Sequence, residues 1–184
     1  MQIRFLSKNK YKIEEAKRIL NVFDIELLAT HFEIDELQTS DTKKLLRDKA
    51  LKAFKHVGRP IFVEHTGLYL NLLNGFPGGL TQNFWDTLEK EKFAELFAGM
   101  EPVMARTDVC YVDGKRVWYF EGEVEGLIVK PPRVDHGFQW DCVFQPLGYE
   151  QTFSEMGRMK DQVSMRRKAL EALARHIRTH YAAQ

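Results

Sequence analysis

Cysteine, net charge and long apolar runs are all scarce in this chain, and each scarcity closes off a class of protein. The two cysteines among 184 residues, Cys110 and Cys142, cannot build a disulfide framework. Both sit in apolar, strand-like stretches without metal-ligand spacing, so they read as buried thiols in a reducing compartment. Twenty-seven Lys and Arg against 26 Asp and Glu leave a net charge of +1, too little for a global field that wraps nucleic acid or coats an acidic membrane. Any anion site must therefore be local. No run approaches the roughly 18 apolar residues of a membrane span, and the N-terminal stretch turns basic after a short apolar patch, which points to a cytoplasmic protein. Internal repeats and low-complexity tracts are missing as well.

What is present suits a packed domain. A hydrophobic fraction of 44%, with 12% aromatic and 29% charged residues of mixed sign, predicts one globular domain over 1–184. Residues 2–6 read as a strand, 7–10 as a polar turn, and Ile13, Ala16 and Leu20 as one helical face. A second helix is expected over 41–57, where Leu46, Ala50, Ala53, Phe54 and Val57 share a face. Residues 60–64 read as a short strand ending at Glu64, with Gly67, Asn74-Gly75 and Pro77-Gly78-Gly79 breaking the chain beyond it. Residues 84–97 show helical spacing, and 103–112 with 115–125 form a hairpin about Asp113-Gly114. Val163, Leu170, Leu173 and Ile177 line one face of a basic C-terminal helix. The pattern predicts an α/β fold with a central mixed sheet and a cleft between two lobes.

Several segments carry chemistry. Ser7, Asn9 and Lys12, with Lys8 and Lys10, place ammonium groups at a helix N-terminus, where orphan N–H groups favour a polyphosphate; a capped, solvated basic turn is the plain alternative. Lys49 lies beside the apolar face of the second helix, so its head reaches either a cleft or solvent. Glu33, Asp35 and Glu36 precede that helix, and Glu64 with His65 follows it, so carboxylates far apart in sequence could share a metal. Alternation would send Phe138 and Trp140 to the same side, next to Asp141, to grip a flat base or to fill a core. Lys160, Ser164, Arg166 and Arg167 place donors before the last helix.

Five segments in order, SKNKYK at 7–12, VEHTGL at 63–68, NGFPGG at 74–79, GFQWDCVFQPLGYEQTFSEM at 137–156 and KDQVSMRRKAL at 160–170, resemble the inosine triphosphate pyrophosphatase family over nearly the whole chain. The stretch from Phe138 to Met156 is the most specific part. The resemblance implies an elongated, two-lobed α/β fold, a homodimer, and magnesium-dependent hydrolysis of ITP, dITP or XTP to the monophosphate and pyrophosphate. By motif, Ser7, Asn9, Lys12, Lys49 and Thr66 would hold the triphosphate, and Glu36, Glu64 and His65 would organise Mg2+ or Mn2+. Gly137 to Arg166 would form the base-holding segment, in which Phe138, Trp140 and Asp141 hold base and sugar. Lys160 and Arg166 complete the pocket, and Arg166 donates to the 6-keto oxygen, because an Arg has donors only.

Three positions depart from the family's pattern. His65 stands where the family has an Asp, and imidazole suits zinc, nickel or copper better than magnesium. It either impairs the site or serves as a general base with an ordinary pKa near 6.5. Met165 replaces a base-reading histidine and cannot donate a hydrogen bond. Gln82 replaces a basic residue facing the phosphates. Two readings follow for the catalytic set of His65, Glu64 and Lys49. One is an active pyrophosphohydrolase; the other is a nucleotide-binding module with impaired hydrolysis that reports to an effector protein partner, for example in antiviral defence.

Overall fold

The computed structural model describes residues 1–134 and 138–181. Its frame is a six-stranded mixed sheet in the order β2-β1-β3-β4-β5-β6. These are β1 (Gln2–Leu6), β2 (Glu26–Thr30), β3 (Ile61–Leu70), β4 (Val103–Val112), β5 (Val117–Ile128) and β6 (Phe144–Pro146). β1 runs parallel to β2 and β3, and the remaining pairings are antiparallel. Helices α1 (Lys10–Asn21), α2 (Thr42–Val57), α3 (Thr81–Phe97), α4 (Phe153–Met156), α5 (Lys160–Val163) and α6 (Met165–Tyr181) flank it. The expected α/β class with a central mixed sheet is what forms.

Period-two alternation on β3 divides the core. Phe62 points to one face and packs with Ile13, Ile19 and Leu20 of α1 and Leu170, Leu173 and Ile177 of α6. Ile61 and Val63 point to the other and pack on Leu45, Leu46, Ala50 and Ala53 of α2. A third cluster joins Leu68, Leu70, Phe93, Phe97, Phe144 and Phe153 at the other end of the strands. Cys110 and Cys142 are buried, and neither is in a disulfide.

Local chemistry sets the ends of the elements. The Asn9 side chain accepts from the Lys12 amide at 3.1 Å to cap α1, and Asp41 accepts from Lys44 at 3.0 Å to cap α2, which stops at Gly58 with φ 64°. In the expected β4–β5 hairpin, Asp113 accepts from the Lys115 and Arg116 amides at 2.7 Å each.

Two expected boundaries move. β3 continues through Gly67 to Leu70, so Glu64 lies mid-strand rather than at a strand end. Gly67 extends the strand instead of breaking it because its missing side chain leaves room for the 78–81 turn: a Cβ there would meet the Gly78 carbonyl at 2.6 Å. The C-terminal helix begins at Met165 because Ser164 is extended, at ψ 153°, which leaves Val163 on α5 and in the third cluster. Gly122 on β5 lets that helix start settle on the sheet, since a Cβ there would lie 2.1 Å from the Met165 carbonyl.

Candidate functional site

The alternation that divides the core also divides the site. Glu64 shares the Phe62 side of β3 and faces α1 and α6, whereas His65 shares the Val63 side and faces α2. Adjacent in sequence, the two side chains therefore enter different surroundings. Both still border one cleft of ≈ 560 Å³ across the end of α1, and Ser7, Asn9, Lys12, Glu36, Lys49, Thr66 and Gln82 line it with them. The structure thus gathers the expected phosphate-end residues.

Charges in that cleft are paired. Lys12 lies 3.2 Å from Glu64, Lys49 bonds Glu36, and Lys8 bonds Glu33 at 2.8 Å. Burial pushes the Lys12 ammonium below its ordinary pKa despite Glu64 beside it. Burial and the nearby Lys12 charge hold His65 at about 4, so it is neutral at pH 7. The Gly78 carbonyl is its hydrogen-bonding neighbour, while its buried Nε2 has no partner among the described residues. Gln82 donates to the Asp86 carboxylate at 2.7 and 2.9 Å and accepts from Gln139.

Behind the cleft lies a buried chain of charges that links α1, β3, α5 and α6. Arg166 is fully buried; its Nε donates to Glu64 at 2.8 Å and its Nη2 to Glu64 at 3.0 Å and to Thr66 at 3.2 Å, while Nη1 donates to Glu15. Glu15 also accepts from Ser164 at 2.9 Å and lies 3.8 Å from Lys160, which donates in turn to Asp141. Burial alone would raise the Glu64 carboxyl, but Arg166 and Lys12 outweigh it and hold it at about 2. Asp141 is the opposite case, raised by burial against the pull of Lys160. Its Oδ1 is buried without a partner among the described residues.

This chain opens on a second cavity of ≈ 460 Å³, lined by Tyr11, Glu15, Phe138, Asp141, Phe153 and Lys160. The base-holding expectations are rearranged there. Residues 139–142 form a 3-10 turn rather than a strand, so Phe138 and Trp140 do not alternate onto one side. Trp140 is 1% exposed and packs on Phe144 and Phe153, whereas Phe138 stays half-buried beside Tyr11 at 5.5 Å between rings. Met165 is fully buried in the same core as Trp140, because its hydrophobic side chain faces inward at the first turn of α6. Arg166 spends its donors on Glu64, Glu15 and Thr66 instead of facing an open pocket, as a buried guanidinium requires paired anions. Lys160, with Lys10 and Arg18 at the rim, brings positive charge to the cavity. Gly137 lies outside the described residues.

Glu15 and Tyr11 went unnoticed in the sequence. Glu15 had a signal, since a carboxylate one turn before buried Ile19 flanks the apolar stripe of α1. Tyr11 had none beyond its place in SKNKYK.

The expected metal ligands Glu36, Glu64 and His65 do not make a magnesium site. Both Glu64 oxygens already accept from cations, Glu36 is held by Lys49, and the third donor is an imidazole nitrogen. Among the described residues, no group of three His, Cys, Asp or Glu side chains is arranged to hold a metal ion. The physical reason is the strand period, which turns Glu64 and His65 to opposite faces, where lysine and arginine supply the positive charge.

The mixed sheet thus carries a lysine-lined cleft and an aromatic-edged cavity, both bordered by members of one buried network of charges, which defines the chain as an α/β protein. The chain belongs to the Ham1 family, whose model matches residues 3–176. It is 35% identical over 184 residues to a dITP/XTP pyrophosphatase of Ignicoccus hospitalis, covering 96% of each chain. It is 36% identical over 178 residues to an inosine triphosphate pyrophosphatase of Yarrowia lipolytica, covering 94% of each. These names agree with the family resemblance read from the sequence. Among solved structures, a HAM1 protein from Coxiella burnetii aligns with a TM-score of 0.82 at 22% identity, over 97% of this chain and 99% of that one, which shows the fold. No helix among the described residues is long and apolar enough to cross a membrane.

Proposed function

We propose that the protein binds a deaminated purine nucleoside triphosphate, dITP or ITP, with XTP as a further candidate, and hydrolyses it poorly. The observation that carries the base assignment is the pairing of Lys160 with Asp141 at the second cavity. Lys160 has three N–H groups and spends one on Asp141, leaving a donor for a keto oxygen. The unpartnered Asp141 Oδ1 is an acceptor suited to the N1–H next to that oxygen. Adenine offers an amino group and a bare N1 in the same places, and both contacts become mismatches. Tyr11 and Phe138 supply ring surface for the flat base. Ser7, Asn9, Lys12 and Lys49 then take the phosphates.

Poor hydrolysis follows from what stands near the phosphates. A general base works best with a pKa near the operating pH. His65 is at about 4 and Glu64 at about 2, with both Glu64 oxygens already bonded. Neither is suited to take a proton from attacking water, which speaks against His65 as the general base. A binder with little turnover needs a reader, so this reading includes an effector protein partner, as in antiviral defence, and a homodimer formed by one domain over 1–184 in the cytoplasm. The second reading, an active pyrophosphohydrolase, is favoured by the activity in the relatives' names.

Calorimetric titration of dITP and dATP, followed by pyrophosphate release from the same sample, tests both. We expect dITP to bind at least tenfold tighter than dATP, and pyrophosphate release to be far slower than in a His65→Asp variant. Equal affinities overturn the base assignment. Turnover by the unmodified chain as fast as by the variant establishes the second reading.

A further inference from the structure

We infer that the phosphate end of the cleft captures a polyphosphate as the free anion, without needing a divalent cation. The inference rests on the proposed triphosphate ligand, and it concerns how the charge of that ligand is met.

A divalent cation at such a site normally bridges phosphate oxygens to protein carboxylates and offsets the repulsion between them. In this cleft Glu64 and Glu36 are already paired with cations of the protein. Glu64 receives Arg166 on both oxygens and Lys12 at 3.2 Å. Glu36 receives Lys49 and is 44% exposed at its side chain, while Glu33, the partner of Lys8, is 93% exposed. An arriving phosphate oxygen can therefore take Lys49 and Lys8 from carboxylates that turn out into water. The exposed Lys8–Glu33 pair holds weakly, and the Lys49–Glu36 pair, with Lys49 16% and Glu36 44% exposed, can open on the Glu36 side. Glu64 cannot turn away, but Arg166 stays with it when Lys12 shifts.

His65 completes the case. It stands between Lys12, Lys49 and Glu36 in electrostatic reach of all three, and it carries no negative charge to be offset. The lining offers Lys8, Lys12 and Lys49 against Asp35, Glu36 and Glu64. A carboxylate at position 65 would leave that lining short of positive charge, and a dication would then be required. With an imidazole there, the three ammonium groups balance the three carboxylates of the lining, and Lys49 and Lys8 become available to phosphate once the exposed carboxylates Glu36 and Glu33 turn into water.

The test titrates inorganic tripolyphosphate and dITP into the full-length protein, once in EDTA and once in excess magnesium, and repeats the set with His65→Asp. We expect the wild-type Kd for each ligand to agree within threefold between the two buffers. We expect His65→Asp to bind at least tenfold more weakly in EDTA and to recover in magnesium, which also shows that the variant is folded. A wild-type gain of more than threefold with magnesium overturns the inference. If tripolyphosphate binds in EDTA and dITP binds no better than dATP, the inference stands and the base assignment falls. If neither ligand binds in either buffer, both fall.

Discussion

The cleft and the second cavity use the same residue types differently. At the second cavity Glu15, Asp141, Lys160 and Arg166 are each no more than 6% exposed, whereas the cleft joins Lys12 and Glu64, at 16% and 1%, to side chains of Lys8, Glu33 and Glu36 that are 62%, 93% and 44% exposed. Burial makes pairing obligatory, because an unpaired charge in the interior costs several kcal/mol. Exposure makes pairing optional, because water and salt replace the partner. Under the proposed function, the second cavity would read the base with donors and acceptors set before a ligand arrives, and the exposed lysine pairs of the cleft would change partners to grip phosphate.

The largest effect expected from this contrast is on stability, at Glu15. Replacing Glu15 with Ala removes the carboxylate that Arg166, Lys160 and Ser164 share, and breaking a buried pair from one side costs about 3–5 kcal/mol. Urea denaturation should show that loss as a lower midpoint at unchanged slope. A loss below about 1 kcal/mol would place Glu15 with the exposed pairs and erase the distinction between the cleft and the second cavity.

Next in size is a pH effect centred on His65. Its folded value, about 4, lies below the ordinary 6.5 of the unfolded chain. Between those values the unfolded chain binds a proton that the folded one refuses, so stability falls as pH falls through that window. The contribution is fully present above pH 6.5. At 1.36 kcal/mol per pH unit it amounts to about 3 kcal/mol, to order of magnitude. Glu64, held at about 2, adds a loss of the same sign only below about pH 4.5. His176, also lowered by burial, acts with the same sign between pH 7 and 5, so the difference between wild type and His65→Asn isolates His65, and the variant's curve should be flatter there. An unchanged slope in the variant would assign the effect to another group.

Most of the frame was legible in the sequence, and the reasons are local. The polar turn before α1, the Asp113 hairpin and the apolar faces of α1 and α2 are written in short-range patterns, and they form as expected. The site was legible in membership but less so in geometry. Ser7, Asn9, Lys12, Lys49, Glu64 and Thr66 do come together. Trp140, Met165 and Arg166 were read as facing a ligand, but they face the core or a buried carboxylate instead. A linear motif states which residues are neighbours of the site and not which way they point. That direction depends on the 3-10 turn at 139–142, the break at Ser164 and the partner Glu15, more than a hundred residues from Arg166 in the chain. Glu64 and His65 point to opposite faces because β3 runs on to Leu70, whereas the strand was expected to end at Glu64.

The smallest expected effect falls on Lys8, and it bears on the cleft. Lys8 bonds Glu33, but both side chains are largely in water, so Lys8→Ala should leave the melting temperature unchanged within error. Its ammonium nonetheless lines the cleft, so removing it should weaken tripolyphosphate binding by about threefold at low salt, and by less at higher ionic strength as screening grows. Both halves of that outcome matter. A fall in melting temperature would mean that the pair with Glu33 supports the fold, as the buried pairs do. Unchanged affinity at low salt would mean that Lys8 stays with Glu33 when phosphate arrives, and the grip would then rest on Lys12 and Lys49 alone.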